Sequence, residues 1–179
     1  MVTILKEVSS ENPNLHWEFI ECKDVVAVDL GCGRWGKVEY RDPSWPTTPE
    51  YLIQKGASHV YAFDIDPVEI DWYTANISTK MNVTAYCKAI NTVDDVREIL
   101  TTLKPKSIKI DIEGYEQAFL QLTDEEFCSI DFYAVETHSD ALSEQFSQKF
   151  EKLNYEVVAI IDLIHARPMK AFFAKKIKS

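Results

Sequence analysis

Three of the chain's five glycines, Gly31, Gly33 and Gly36, fall within six positions of the stretch "DLGCGRWG", directly behind an apolar run and an aspartate. Glycine after a strand permits a tight turn with positive φ and lets a ligand approach the backbone closely. Asp29, two positions ahead of the first glycine, brings negative charge to that turn, which suits a cofactor carrying an amino group and opposes a pyrophosphate. Asp29, Gly31 and Gly33 are therefore candidate cofactor contacts. A second carboxylate follows in "VYAFDIDP", where Asp64 ends a strand and is placed to take both hydroxyls of a ribose. Asp66 is set aside as the cap of the next helix. The separation of Gly36 from Asp64 exceeds the usual spacing of about 20 residues, and a proline-rich insertion between them accounts for the excess. Ile65, Ala89 and Asp111 complete the candidate cofactor set.

Two more stretches carry ionisable groups at the ends of apolar strands. "IKIDIEGYEQAFL" (Ile108–Leu120) supplies Asp111 and Glu113, and "YAVETHS" (Tyr133–Ser139) supplies Glu136 and His138. In an open α/β sheet the carboxyl ends of the strands face the ligand crevice, so these four groups should converge there as a catalytic set. An imidazole can exchange a proton near neutral pH, so His138, with Glu136 as the alternative, is the candidate base for a hydroxyl proton, while Asp111 and Glu113 would orient donor or acceptor. The same carboxylates and imidazole are also a ligand set for a divalent cation that polarises an acceptor oxygen, the less favoured reading, with the metal question left open.

Strand-forming segments position these residues: Val25–Leu30, His59–Asp64, Val83–Cys87, Ser107–Ile112, Phe132–Glu136, Glu156–Leu163 and Lys170–Lys175. Several are apolar at nearly every position, as strands of a parallel sheet covered on both faces must be. Helix starts fall between them. Asp66-Pro67 opens a helix running toward Lys80, Thr92 with Asp95 opens one that stops near Lys104 before Pro105, Thr123 with Glu126 opens a short one, and Ser139 caps another that stops at Asn154. Only Ile164 to Met169 separates the last two strands, too short a link for a crossover helix, so they should form an antiparallel hairpin. The expectation is an α/β, doubly wound, mostly parallel seven-stranded sheet with a C-terminal antiparallel hairpin, preceded by an extension over 1–24, with the domain spanning 25–179. Tyr40–Tyr51, rich in proline, is expected as an ordered loop that lines the acceptor pocket or closes over it.

The set DLGCG, VYAFD, IKIDIEGYE and AVETHS resembles the FkbM family of S-adenosylmethionine-dependent methyltransferases, whose members carry a K-(I/V)-D-(I/V)-E-G-x-E motif and a later E-x-H. The similarity runs from about Val25 to Lys175. It implies a class I methyltransferase fold, S-adenosyl-L-methionine as methyl donor, and O-methylation of a hydroxyl on a small molecule or sugar. Trp35 stands where the family's third glycine would be. Two other readings compete: a non-catalytic nucleoside-binding module of the same fold, and a nicotinamide-dependent oxidoreductase, which would want a full G-x-G-x-x-G.

Composition narrows the partners. A net charge of −10 over 179 residues disfavours a nucleic-acid phosphate backbone. No run of 18 apolar residues is present to span a bilayer, and the N-terminus lacks a secretory pattern, so no membrane partner and a cytoplasmic location are expected. Cys22, Cys32, Cys87 and Cys128 are widely spaced and expected as free thiols.

Overall fold

Most helices begin where a side chain can take the N–H groups that a first turn leaves unpaired. Thr47 and Glu50 form a reciprocal capping box for α1 (Thr48–Gln54), Asp66 caps α2 (Pro67–Asn76), and Thr92 with Asp95 boxes α3 (Val93–Leu103). Thr123 with Glu126 does the same for α5 (Asp124–Phe127), and Ser139 caps α6 (Asp140–Lys152); the short α4 (Gln117–Leu120) has no side-chain cap. At the other ends, Lys104 and Asn154 adopt left-handed conformations that stop α3 and α6. The computed structural model describes residues 3–6, 17–33, 46–163 and 169–177.

The strands are β1 (Thr3–Lys6), β2 (Val26–Leu30), β3 (His59–Asp64), β4 (Val83–Cys87), β5 (Ser107–Ile110), β6 (Phe132–Thr137), β7 (Tyr155–Leu163) and β8 (Met169–Lys176). They form one sheet in the order β1-β7-β8-β6-β5-β2-β3-β4. β2, β3, β4, β5 and β6 run parallel, while β8 is antiparallel to both β6 and β7. The seven expected strands and the terminal hairpin are therefore present. An eighth strand, Thr3–Lys6 from the N-terminal segment, pairs parallel with β7 at the sheet edge. The chain leaves β2 toward β3 and β4 on one side and returns on the other through β5, so a topological switch point lies at the carboxyl ends of β2 and β5. Open α/β sheets bind their ligands at such a point.

Apolar runs conceal a two-residue alternation that sorts side chains between the faces. Val28, Ile108, Ile110, Tyr133 and Val135 point to one face, under Val96 and Ile99 of α3, Phe127 of α5 and Phe146 and Phe150 of α6. Ala27, Val60, Ala62, Phe132 and Ala134 point to the other, under Leu52 of α1, Ile70 and Tyr73 of α2, and Trp17, Ile20 and Cys22. The result is three layers with the sheet in the middle.

Three expectations shift. α1 begins inside the proline-rich stretch expected as a loop, because Pro49 occupies the first turn of a helix, where no N–H is required. Residues 40–45 of that stretch lie outside the described residues, as do Trp35, Gly36 and the hairpin link 164–168. α2 ends at Asn76 rather than near Lys80, as Ile77 and Ser78 both donate to the Tyr73 carbonyl and the chain turns toward β4. β5 ends at Ile110 rather than Ile112, because after the Asp111 N–H bonds the Leu30 carbonyl at 3.1 Å the backbone enters left-handed geometry at Glu113 (φ 53°) and Gly114 (φ 103°).

Gly31 is fixed both by conformation and by space: its φ is 77°, and a Cβ there would stand 1.7 Å from the Asp111 carbonyl oxygen. Gly114 is fixed by conformation, with nothing among the described residues within 4 Å of such a Cβ. Gly31→Ala is expected to lower Tm by roughly 5–10 °C and Gly114→Ala by only about a third as much, measured by thermal unfolding. Equal shifts would contradict the close approach of β2 to β5.

Candidate functional site

Alternation along β2 and β5 turns Asp29 and Lys109 toward the same face, and the parallel register sets them directly opposite one another. Both are buried, at 0% and 2% exposure. The Lys109 ammonium stands 3.0 Å from Asp29 Oδ1 and 3.6 Å from Asp111 Oδ2, and lies 5.2 Å from the centre of the Trp17 ring. It donates to the carbonyls of Gly31 (2.6 Å) and Leu30 (3.4 Å). Burial alone would neutralise the ammonium, but the charges of Asp29 and Asp111 outweigh it and hold the Lys109 pKa above its ordinary range. The Lys109 ammonium is the partner of Asp29 Oδ1, so the carboxylate is held chiefly by charge and enclosure.

This pair clamps the glycine turn from below, and other groups hold it from the sides. The N–H groups of Gly31 and Cys32 both donate to the Phe63 carbonyl of β3, and the buried Tyr73 hydroxyl of α2 donates to the Cys32 carbonyl at 2.6 Å. Gly33 then passes beside Asp64: a Cβ on Gly33 would lie 2.9 Å from Asp64 Oδ2. Asp64 Oδ1 accepts from the Asp66 N–H at 2.9 Å, and Asp66 in turn caps Val68, the capping role expected of it. Ile65 is 72% exposed at this strand tip, and Ala89 is exposed in the segment after β4.

Asp111 directly follows β5, and Glu136 lies near the end of β6, one residue past the last β5–β6 pair, Ile110 with Val135, and opposite Ala171 of β8. With Glu113 they surround His138, whose Nε2 lies 3.7 Å from Asp111 Oδ1, 3.6 Å from Glu113 Oε2 and 3.7 Å from Glu136 Oε1. The four expected residues do converge. The other ring nitrogen, Nδ1, meets Glu116 Oε1 at 2.9 Å. Glu116 is fully buried and also accepts from the N–H groups of Ile112 and Gly114, so one carboxylate fixes both the turn after β5 and the imidazole. Burial opposes charge on Glu116, but hydrogen bonds from His138, its own backbone and Gly114 keep its pKa below the usual value. An ionised Glu116 only accepts, so Nδ1 carries the proton toward it. Burial also opposes charge on His138, yet Glu116, Asp111 and Glu136 outweigh it and raise its pKa. Glu136 is pushed up to about 8 by burial, with the Asp111 charge adding to the effect.

Lys109 and Glu116 are the functional residues that sequence reasoning left without roles. Both stand inside the quoted "KIDIEGYE", and the two-residue spacing of Lys109 and Asp111 is the signal that placed them on one face. A cavity of about 590 Å³ lies at the opposite end of the strands, lined by Lys23, Lys55, Lys106, Lys175 and Lys176 among others, and none of the expected site residues borders it.

Switch point, glycine turn and strand-end acids together have the layout of a class I S-adenosylmethionine-dependent methyltransferase fold. No family model matches the chain, and no curated protein sequence matches it. Solved structures do. Precorrin-6y C5,15-methyltransferase from Geobacter metallireducens superposes with TM-score 0.58 at 13% identity, over 96% of this chain and 94% of that one. A putative tRNA (m1A22) methyltransferase from Streptococcus pneumoniae, in complex with S-adenosyl-L-methionine, gives 0.58 at 11% identity over 97% and 76%. Magnesium protoporphyrin IX methyltransferase from Synechocystis, with bound S-adenosylhomocysteine, gives 0.55 at 10% identity over 87% and 75%. At these identities the likeness establishes the fold.

Lys109→Met strands the Asp29 charge in the core and is expected to cost about 3–5 kcal/mol in urea unfolding. Adding Asp29→Asn should recover most of that loss. A Lys109→Met chain as stable as the parent would show that the pair does not hold the turn.

Proposed function

We propose that this chain is an S-adenosylmethionine-dependent methyltransferase, of the kind the FkbM resemblance implies, that transfers a methyl group to a hydroxyl of a small molecule or sugar in the cytoplasm. The observation that carries the reading is the convergence of His138, Asp111, Glu113 and Glu136 beside a glycine turn and a ribose-ready carboxylate at the switch point. In this reading Asp64 takes the ribose hydroxyls through Oδ2. Ile65 and Ala89 flank the base. Gly31 and Gly33 line the amino-acid tail, and Asp29, buried beneath the turn against Lys109, serves it by holding the turn in place. Asp111 stands where donor and acceptor meet.

The donor brings an activated methyl on a sulfonium, so the transfer is an in-line displacement and needs no covalent nucleophile from the protein. The chain's own residues position the acceptor and receive its proton. Glu136 and the Nε2 of His138 are the two groups placed to take it, and Asp111 and Glu113 hold the hydroxyl in line. The acceptors named for the structural neighbours range from tRNA to tetrapyrroles, so the fold does not choose among them. A crevice walled by Asp111, Glu113 and Glu136 in a chain of net charge −10 favours an uncharged hydroxyl over a phosphate backbone.

Isothermal titration calorimetry with S-adenosylmethionine is expected to show one site per chain, with no heat from NAD. Asp64→Ala should weaken that binding at least about 10-fold, roughly 1.4 kcal/mol, without lowering Tm. Label from methyl-labelled donor should reach some hydroxyl compound in an acceptor panel. Heat from NAD in place of the sulfonium nucleoside would reverse the assignment, and donor binding without transfer to any acceptor class would leave a binding module.

A further inference from the structure

We infer that the cluster at the ends of β5 and β6 is a divalent-cation site in which His138 Nε2, Asp111 and Glu113 are the ligands. His138 is held from behind by Glu116, and Glu136 faces the site. One ligand atom from each of His138, Asp111 and Glu113 lies within 4.8 Å of the others. The His138 side chain is 95% buried, and among the described residues its Nε2 has no hydrogen-bond partner, although it points at carboxylate oxygens. A buried imidazole nitrogen aimed at carboxylates normally makes a hydrogen bond with one of them. Here the separations of 3.6 and 3.7 Å are too long for that bond. They are the right length for atoms sharing an ion: metal–ligand bonds of about 2.0–2.2 Å meeting at roughly 110–120° separate their ligand atoms by about 3.3–3.8 Å.

The surroundings complete the argument. Metal-bound imidazoles characteristically donate their other N–H to a carboxylate, which fixes the ring and raises its basicity, and Glu116 does this to His138 at 2.9 Å. The mixed nitrogen and oxygen donors select a divalent cation of intermediate hardness, with Mn²⁺ and Zn²⁺ better suited than Ca²⁺. Glu113 reaches the cluster from a left-handed backbone position (φ 53°), an arrangement that costs conformational energy and that bound cation would offset.

The role of the ion in methyl transfer rests on the function proposed above, whereas its binding does not. With Nε2 committed to a cation, the acceptor oxygen coordinates beside it and loses its proton more readily. The proton then passes to Glu136 in its ionised form, since the cation occupies the other candidate base. The cation thus decides between the two candidate bases.

Mn²⁺ titrated into chelator-stripped protein and followed by electron paramagnetic resonance tests the site directly. One equivalent should disappear from the free-ion signal, with nitrogen coupling from one imidazole in the bound spectrum, and Zn²⁺ should displace it. Glu113→Gln, at an exposed position with little risk to folding, should weaken Mn²⁺ binding about 10-fold or more, and His138→Ala should abolish the nitrogen coupling. Glu116→Gln should weaken binding by about 10-fold while leaving that coupling in place. Absence of stoichiometric binding, or binding that both Glu113→Gln and His138→Ala leave unchanged, overturns the site. Mn²⁺ binding in a chain that gives no heat with S-adenosylmethionine would uphold the cation and refute the methyltransferase; the reverse pair of results would do the opposite.

Discussion

Two opposite charges locked in the centre of the sheet organise everything at its carboxyl end. Asp29 and Lys109 come from strands far apart in sequence, yet parallel register sets them face to face with almost no solvent contact. A buried ion pair of this kind adds little net stability, because desolvation consumes most of the attraction. Its value is positional. The ammonium reaches past Asp29 to the carbonyls of Leu30 and Gly31, so the charge pair dictates where the chain must turn and how closely β2 approaches β5. Gly31 is the residue that makes this approach sterically possible.

From that anchored turn the site is assembled in two halves. On one side, Phe63 and Tyr73 tie the turn to β3 and α2, bringing Gly33 up to Asp64. On the other, Glu116 ties the turn after β5 to His138 after β6. Each half is held by a buried polar group with several partners, and a network of this kind fixes geometry more tightly than apolar packing does. Charge is concentrated where the halves meet: the surrounding carboxylates raise the His138 pKa against its burial, and burial first, with the Asp111 charge adding to it, raises that of Glu136.

Much of this was legible in the sequence, and the rest was hidden for identifiable reasons. β3 and β4 fall where their β-branched and aromatic residues place them, and the capping pairs Thr92–Asp95 and Thr123–Glu126 mark helix starts that the structure retains. Asp111, Glu113, Glu136 and His138 could be brought together from the rule that strand ends face the crevice. α1 was hidden because proline reads as a breaker, although at a first helical turn it does no harm. Thr3–Lys6, four residues at a sheet edge, carries too little pattern to announce itself. Lys109 and Glu116 escaped assignment because their roles depend on register and on a left-handed turn, and neither leaves a trace in local composition. A lysine inside an apolar strand reads as an interruption until the aspartate across from it is known.

A crystal structure of the chain with S-adenosylhomocysteine tests the central claim most directly, namely that the anchored turn at the β2/β5 switch point receives a sulfonium nucleoside. The account requires the ribose hydroxyls on Asp64, the amino-acid tail along Gly31–Gly33, and the sulfur turned toward His138. Density for the nucleoside at the lysine-lined cavity on the opposite end of the sheet, or anywhere that leaves Asp64 untouched, would contradict it.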